Sequence, residues 1–537
     1  MTKYREIWPL AVVLTGALAL KTALLALDAV PFNADEAIVA LMARHILQGE
    51  RPSFFYGQAY MGSLDAYLVA GAFRVFGQRV LAIRLVQMTL FAAVIVTSYP
   101  VALRFTGARR AAMLVALLLA FPPVLLTLYT TASLGGYGEA LLAGNLLLWW
   151  GHRLGWEDAQ RWGLWLAWGL VAGLGFWTMG LVLVYLVPVA PWLLWRHGAR
   201  SWRGYLLAAL GFVAGSLPWW LGNLRHVDAG VAELMGAAVR STATAGTLPG
   251  NVGARVFNFA VFGLPALFGL RFPWSVQGPP LWLAVPTLAL YLGAMAYGLR
   301  RLFPSSSSST PSSSSPPSPP SSLLWSICGT LFLGFVLTPF GGDPSGRYFL
   351  PLYLPLFIFT AEALTALRER VGRCAWVALG AVLAFNLAGT LQAASTTPPG
   401  ITTQFEAITQ VDHRYDAELM DFLRAHDGTR GYTNYWVAYP IAFLSSEEIV
   451  LVPRLPYKAD LRYTPRDDRY APYEEWVEAS PTAIYVTTNH PALDGLLREE
   501  FAALGVDFQE VQIGSYHVFY DLSRKVTPGE LALWTKE

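Results

Sequence analysis

Charge is scarce in this chain: Asp, Glu, Lys and Arg together make 14% of 537 residues, against roughly a quarter in soluble globular proteins. The balance is a formal +2, which offers no bulk field for a polyanion and leaves no case for a nucleic-acid partner. Cysteine is almost absent. Cys328 and Cys374 both sit in apolar segments, which excludes a disulfide framework and a zinc cluster. There is also no Walker loop, no glycine fingerprint opening a helix after a strand, no HExxH and no GxSxG, so nucleotide-binding, zincin and serine-hydrolase chemistry have no foothold.

What is abundant is apolar surface. Hydrophobic residues make 54% of the chain, with 20 Trp, 24 Tyr and 29 Phe, and the mean hydropathy is +0.42. These values describe a polytopic membrane protein. A helix crosses the bilayer core with about 20 apolar residues. Eleven stretches approach that length: 7–29, 82–103, 111–130, 139–151 (short), 162–178, 179–195, 204–222, 279–299, 323–340, 348–366 and 374–394. The first is too long, and carries Lys21 too deep, for a cleaved signal. With the N-terminus in the cytoplasm, the Arg-bearing loops after the even-numbered spans (Arg104, Arg109 and Arg110 first, Arg368, Arg370 and Arg373 last) all fall inside. Residues 255–271 are read as an interfacial or re-entrant element broken by Gly263, Pro265 and Gly269, because a twelfth crossing would reverse that alternation.

The expected fold is thus an all-α transmembrane bundle with a small C-terminal α/β domain. Residues 1–395 form the transmembrane domain, with an external loop at 30–81. The Ser/Pro run 304–322 has no apolar side chains to offset ordering entropy and reads as a disordered cytoplasmic loop. Residues 396–537 leave the membrane on the outside. There β-rich runs at 449–452, 482–488 and 516–521 alternate with helical patterns at 414–426 and 491–504.

Candidate chemistry gathers at the outer boundary. In the first loop Asn33 is placed to cap a helix at 34–48, and Ser63 a second at 63–76; both are read as amphipathic helices on the membrane surface. Asp35 and Glu36 occupy the first turn of the former. Acids there complement the helix dipole, but beside a partly dry cavity a carboxylate can serve as a base. Asp65 reads first as a cap. The aromatic stretch between the helices carries Tyr56 and Tyr60. Glu139 opens the short fourth span after Gly135, Gly136 and Gly138, which would let backbone approach a ligand. Arg347 starts a helix against its dipole and has the planar fork that suits a phosphate; Tyr348 adds a hydroxyl. Lys21 and Asp28, seven residues apart on the first span, nearly share a face and read as a snorkelling cation or a structural pair, with an intramembrane functional charge as the alternative.

The order of these motifs resembles a known family. DEA at 35–37, GQAYMG at 57–62 and LDAYLVAGAFRVFG at 64–77 with LAIRL resemble the first external loop of GT-C integral membrane glycosyltransferases. Within that group the likeness is to the bacterial branch of glycosyltransferase family 39, grouped with protein O-mannosyltransferases and lipid A aminoarabinose transferases. RYFLPLYLP at 347–355 resembles the family's Arg-Tyr-x-x-Pro segment. The resemblance implies a polyprenyl-phosphate-linked sugar donor, a hydroxyl acceptor on lipid, glycan or protein, and transfer with inversion at the outer face of the plasma membrane. It assigns Asp35 as the catalytic acid of the first loop with Glu36 beside it, Glu139 as the second acid, and Arg347 with Tyr348 as the donor-phosphate region. Asp65, Tyr56, Tyr60 and Lys21 are secondary candidates. A divalent cation is conceivable, shared by Asp35 and Glu139. The chain departs from many relatives at 56–62, where it lacks their Lys-Pro-Pro run, and it lacks the Trp-Trp-Asp-Tyr-Gly signature of oligosaccharyltransferases. The rival classes are a lipid-carrier transporter or flippase and a non-catalytic scaffold. A cavity beside Asp35 that also reaches Glu139 and Arg347 would separate enzyme from both.

Overall fold

The computed structural model describes residues 4–157, 161–225, 229–234, 248–275, 277–302 and 321–531. It is mostly helical. Five helical stretches are long and apolar enough to cross a membrane: Trp8–Ala26, Val80–Thr106, Gly180–Gly215, Trp282–Arg300 and Arg347–Ser395. The molecule is therefore a multi-pass membrane protein by length and composition. Each of the eleven stretches read from sequence contains helix, though the boundaries move. The expected 111–130 span divides into α5 (Arg109–Ala120) and α6 (Val124–Tyr129), because Pro122 and Pro123 cannot continue the hydrogen-bond ladder. The "short" fourth span is the 20-residue helix α7 (Tyr137–Trp156). Its polar ends, Glu139 and His152, interrupt the hydropathy while being buried. The 255–271 element is not broken at Pro265: helix Leu248–Asn258 runs through a π-turn at Phe259–Gly263 into Leu264–Leu267. The Ser/Pro run falls almost wholly on 303–320, outside the described residues.

The first loop folds as a layer of its own. Helix α2 (Ala34–Gln48) begins where expected, with Asn33 accepting the Glu36 amide at 3.3 Å. It does not rest on a membrane surface, however. Nearly every side chain from Ala34 to Ile46 is buried, because α2 packs against α3 (Leu64–Phe76) on one side and the helix Tyr435–Leu444 on the other. Between α2 and α3 a hairpin forms from β1 (Phe54–Phe55) and β2 (Gln58–Gly62). It turns at Gly57, whose φ is +65° and where a Cβ would meet Arg469 Cδ at 2.7 Å, so glycine is required twice over. Ser63 makes no capping bond to α3; its hydroxyl donates to the Pro52 carbonyl at 2.5 Å. Helix α4 (Val80–Thr106) then enters the bundle and packs on α5 and α7.

The C-terminal portion carries a five-stranded sheet in the order β4-β3-β5-β7-β6. Strands β3 (Arg430–Thr433), β4 (Val450–Pro453) and β5 (Ile484–Thr488) run parallel, with Gly431 opposite Leu451 and Ile484. Strand β7 (Tyr516–Tyr520) is antiparallel to β5 and to β6 (Gln509–Ile513). Because β3 lies between β4 and β5, the crossover from β3 to β4 and the crossover from β4 to β5 run in opposite directions across the sheet. Such a reversal opens a crevice at the carboxyl ends of the strands. The helix Tyr435–Leu444, which leaves β3, joins two cores. Tyr435, Ala438, Tyr439, Ala442 and Phe443 belong to the core continuous with the helical bundle, whereas Val437 and Ile441 belong to the sheet's second core. An apolar surface all round is what such a doubly buried helix requires.

Candidate active site

Asp35 leads into a cavity of about 390 Å³ formed where the first loop, the bundle and the C-terminal portion meet. Its walls come from Tyr60 on β2, Tyr137 at the start of α7, Asp343 and Arg347 before the helix Tyr353–Val371, and Tyr435, Trp436, Tyr457, Lys458, Asp467 and Arg469 from the C-terminal portion. The Asp35 carboxylate is fixed by two hydroxyls: Tyr435 donates to Oδ1 at 2.7 Å and Thr403 to Oδ2 at 3.0 Å. Asn33, the cap of α2, in turn donates to Thr403 at 3.1 Å. One helix start thus aims Asp35 inward, and residues some 400 positions later hold it there.

Arg347 shares this cavity. Its Nη2 pairs with Asp343 at 2.6 Å and reaches the Tyr348 hydroxyl at 3.3 Å. Its Nε, although buried, has no acceptor among the described residues. Nη2 is thus engaged by the protein, while a third of the side chain stays exposed on the cavity side. The Tyr348 ring lines an adjoining apolar groove of about 220 Å³ with Leu181, Val184, Leu331, Phe335 and Phe340, while its hydroxyl stays on Arg347. Tyr60 lines both the groove and the polar cavity, so the two lie side by side at its ring.

The other acids are placed differently. Glu36, the next residue round α2, is fully buried and outside the cavity lining, in an ion pair with Arg84 of α4 at 2.6 Å, and it accepts the Ser133 amide at 3.3 Å. Burial pushes its carboxyl up to about 7, with Arg84 opposing. Asp65 does not cap; it is buried and accepts from Gln87 at 3.0 Å and from the Ser133 hydroxyl at 2.5 Å. Burial raises its carboxyl too, while the hydrogen bond from Ser133 pulls it back. Glu139 faces Asp65 and does not line the cavity. The glycines before it pack on the protein's own side chains: a Cβ on Gly136, at φ +93°, would meet Thr178 Cγ2 at 2.6 Å, and one on Gly135 would meet Met61 at 3.2 Å.

Lys21 is buried against three oxygens of the α6 region, the Thr127 carbonyl at 2.9 Å and the Thr130 and Thr131 hydroxyls at 2.6 Å each; it pairs with these and not with Asp28. Tyr56 points away from the cavity, donating to Glu50 at 2.5 Å and contacting His45 Nδ1 at 3.0 Å. Among the described residues no group of three or more His, Cys, Asp or Glu could hold a metal ion. Asp35 and Glu139 do not come together as a cation pair would need.

Sequence reasoning missed the C-terminal wall. Asp467 is buried, which pushes its carboxyl up to about 7 against the charges of Arg469 and Lys458; Asp35 adds to the rise and Tyr457 hydrogen bonds to it. Arg469 lies over the Tyr435 ring at 5.4 Å and donates to the Gly57 carbonyl at 3.2 Å. The Tyr439 hydroxyl fixes this loop by donating to the Asp467 carbonyl at 3.0 Å while accepting the Arg469 amide at 2.5 Å. The signal was a dense run of Asp and Arg, PRDDR at 465–469, beside aromatics in an otherwise charge-poor chain.

Comparison with known proteins bears out the resemblance read from the first loop. Residues 63–221 match the family model described as dolichyl-phosphate-mannose-protein mannosyltransferase. The fold is shared with the crystal structure of ArnT from Cupriavidus metallidurans bound to undecaprenyl phosphate: TM-score 0.59 at 15% identity, covering 94% of this chain and 97% of that one. It is also similar to the oligosaccharyltransferase of Archaeoglobus fulgidus in complex with Zn and sulfate, with a TM-score of 0.50 at 14% identity over 88% of this chain and 67% of that one. No curated protein matches the chain.

Proposed function

We propose that the protein is a membrane glycosyltransferase that moves a sugar from a polyprenyl-phosphate donor to a hydroxyl acceptor. The observation that carries this reading is that Asp35 and Arg347 line one polar cavity, with an apolar groove beside it on the other side of Tyr60. A polyprenyl phosphate has those two parts, a charged head and a greasy tail. Undecaprenyl phosphate in the ArnT structure and the mannosyltransferase match over 63–221 support the same donor class.

In this reading the prenyl tail lies in the groove and the phosphate meets the Arg347 guanidinium. The acceptor hydroxyl attacks the anomeric carbon from the face opposite the phosphate. Its oxygen forms the new glycosidic bond, the bond to the phosphate oxygen breaks with its electron pair, and the proton passes to Asp35. Phosphate is a good leaving group, so charge stabilisation by Arg347 replaces a general acid, and one base suffices where glycoside hydrolysis uses two carboxylates. Inversion follows. Tyr435 and Thr403 orient the base so that its free lone pairs face the cavity. Eleven crossings with the N-terminus in the cytoplasm would put this chemistry at the outer leaflet of the plasma membrane, with residues 396–537 as an external domain over it.

The test is turnover of labelled polyprenyl-phosphate sugars by the purified protein in nanodiscs, with products identified by mass. Release of polyprenyl phosphate is expected from the native protein. Asp35→Asn is expected to bind the lipid normally and to lose about 10²–10⁴-fold in transfer, the usual worth of a general base. Near-normal turnover by that variant would remove Asp35 from the mechanism, and no turnover of any donor by the native chain would overturn the transferase reading.

A further inference from the structure

The cavity wall facing away from the apolar groove has a chemistry that the transfer reaction as described does not use. Trp436, Tyr457 and Phe405 line it with their rings, Trp436 and Tyr457 meeting edge to face at 6.4 Å. The Trp436 indole Nε1 is buried with no acceptor among the described residues. Buried donors of this kind are rare and ordinarily satisfied, so this one awaits a partner that the protein does not supply. Asp467 stands on the same wall. Arg469 and Lys458 line the same cavity and act on its charge without forming an ion pair with it.

We propose that Trp436, Tyr457 and Asp467 form the acceptor subsite, and that the acceptor is a carbohydrate hydroxyl. The inference rests on the transferase reading and names the acceptor class within it. A pyranose has an apolar C–H face, which an aromatic ring supports, and a rim of hydroxyls, which donate to a carboxylate and accept from an N–H. The wall offers all three. One common way to hold a peptide is to pair its backbone with a free strand edge. The strand that borders the cavity is β2, and its outer edge is already engaged by a bridge from Met61 to Met179.

The placement also fits the direction of the reaction. Donor phosphate and acceptor must lie on opposite faces of the anomeric carbon. Arg347 and the groove fix the donor side. Asp35, which takes the acceptor's proton, is held by Tyr435, and the Tyr435 and Trp436 rings are in contact at 5.1 Å. Base and aromatic wall thus belong to one side. That side is the carboxyl end of β3 and the segment after β4, where the strand order reverses and where sheets of this kind bind their ligands.

The experiment uses the full chain in nanodiscs with one labelled polyprenyl-phosphate sugar and two acceptor sets, free oligosaccharides and Ser/Thr peptides. The sugar is expected on the oligosaccharide and not on the peptide. Trp436→Ala and Asp467→Asn are expected to raise the oligosaccharide KM by at least about tenfold while polyprenyl-phosphate binding stays unchanged, the signature of lost acceptor binding. Trp436→Phe, which keeps a ring and the fold, is expected to retain most of the affinity. Delivery of sugar to the peptide alone, or oligosaccharide transfer indifferent to both variants, would overturn the proposal while leaving the transferase reading standing. If the native chain releases no polyprenyl phosphate from any donor, it is the transferase reading that fails.

Discussion

Adjacent acids in the first turn of α2 have opposite fates. Asp35 faces the cavity and is held by two hydroxyls; Glu36 is sealed beneath it against Arg84. The pair therefore predicts opposite phenotypes. Asp35→Asn should lose transfer and keep its melting temperature. Glu36→Gln leaves the Arg84 charge buried without its counter-ion, which costs about 3–5 kcal/mol, and should show first as a lower Tm in a thermal-shift assay. Asp467 makes a pH prediction. Its folded carboxyl titrates near 7, above the ordinary 3.8. An acid raised on folding binds a proton more tightly in the native state, so its contribution to stability is complete at low pH and falls away between about 4 and 7. Acceptor affinity should run the other way, rising through pH 7 as the ionised carboxylate becomes able to accept two hydroxyls. Asp467→Asn should flatten both profiles, measured as Tm and oligosaccharide KM between pH 5 and 8.

At the scale of elements, periodicity and capping located most helices but not what covers them. The bounds 34–48 for α2 were legible because Asn33 and Gly49 punctuate them. Its burial was not, since the partner on its second face lies 400 residues away. The same distance hid the C-terminal wall: nothing local marks Tyr435 as the hydroxyl that meets Asp35. Glu139 misled because a glycine-rich turn before an acid looks alike whether it admits a ligand or packs on Thr178 and Asp65. Helix Tyr435–Leu444 is the element on which the site depends, since its Tyr439 hydroxyl fixes the loop bearing Asp467 and Arg469. Tyr439→Phe removes both hydrogen bonds from a buried site, about 1–3 kcal/mol for the group left unsatisfied. It should raise acceptor KM several-fold with donor binding unchanged, checked by paired kinetics and lipid-binding titration.

On the scale of the whole molecule, a polar seam joins the first loop to the C-terminal portion. Glu447 accepts from His45 at 2.9 Å and from Tyr473 at 2.9 Å, and pairs with Arg44 at 3.4 Å. Burial works to raise its carboxyl, yet these partners hold it below the ordinary 4.5. A depressed acid stabilises the native state above its unfolded pKa and loses that contribution as pH falls through the folded value. The seam should therefore loosen below about pH 4.5, and Glu447→Ala should loosen it at neutral pH, read as faster proteolysis within 396–412. Composition revealed the membrane, and motif order revealed the fold of the first half. The seam was illegible because each of its residues is an ordinary surface type until the two portions meet.

The two hydroxyls that hold Asp35 have a consequence for biosynthesis. Chains emerge N-terminus first, so the aspartate is made hundreds of residues before Thr403 and Tyr435 exist to orient it. A chain that ends before residue 403 carries Asp35 without either hydroxyl. Under the proposed transferase reading, completion of the last quarter of the chain is therefore what orients the base.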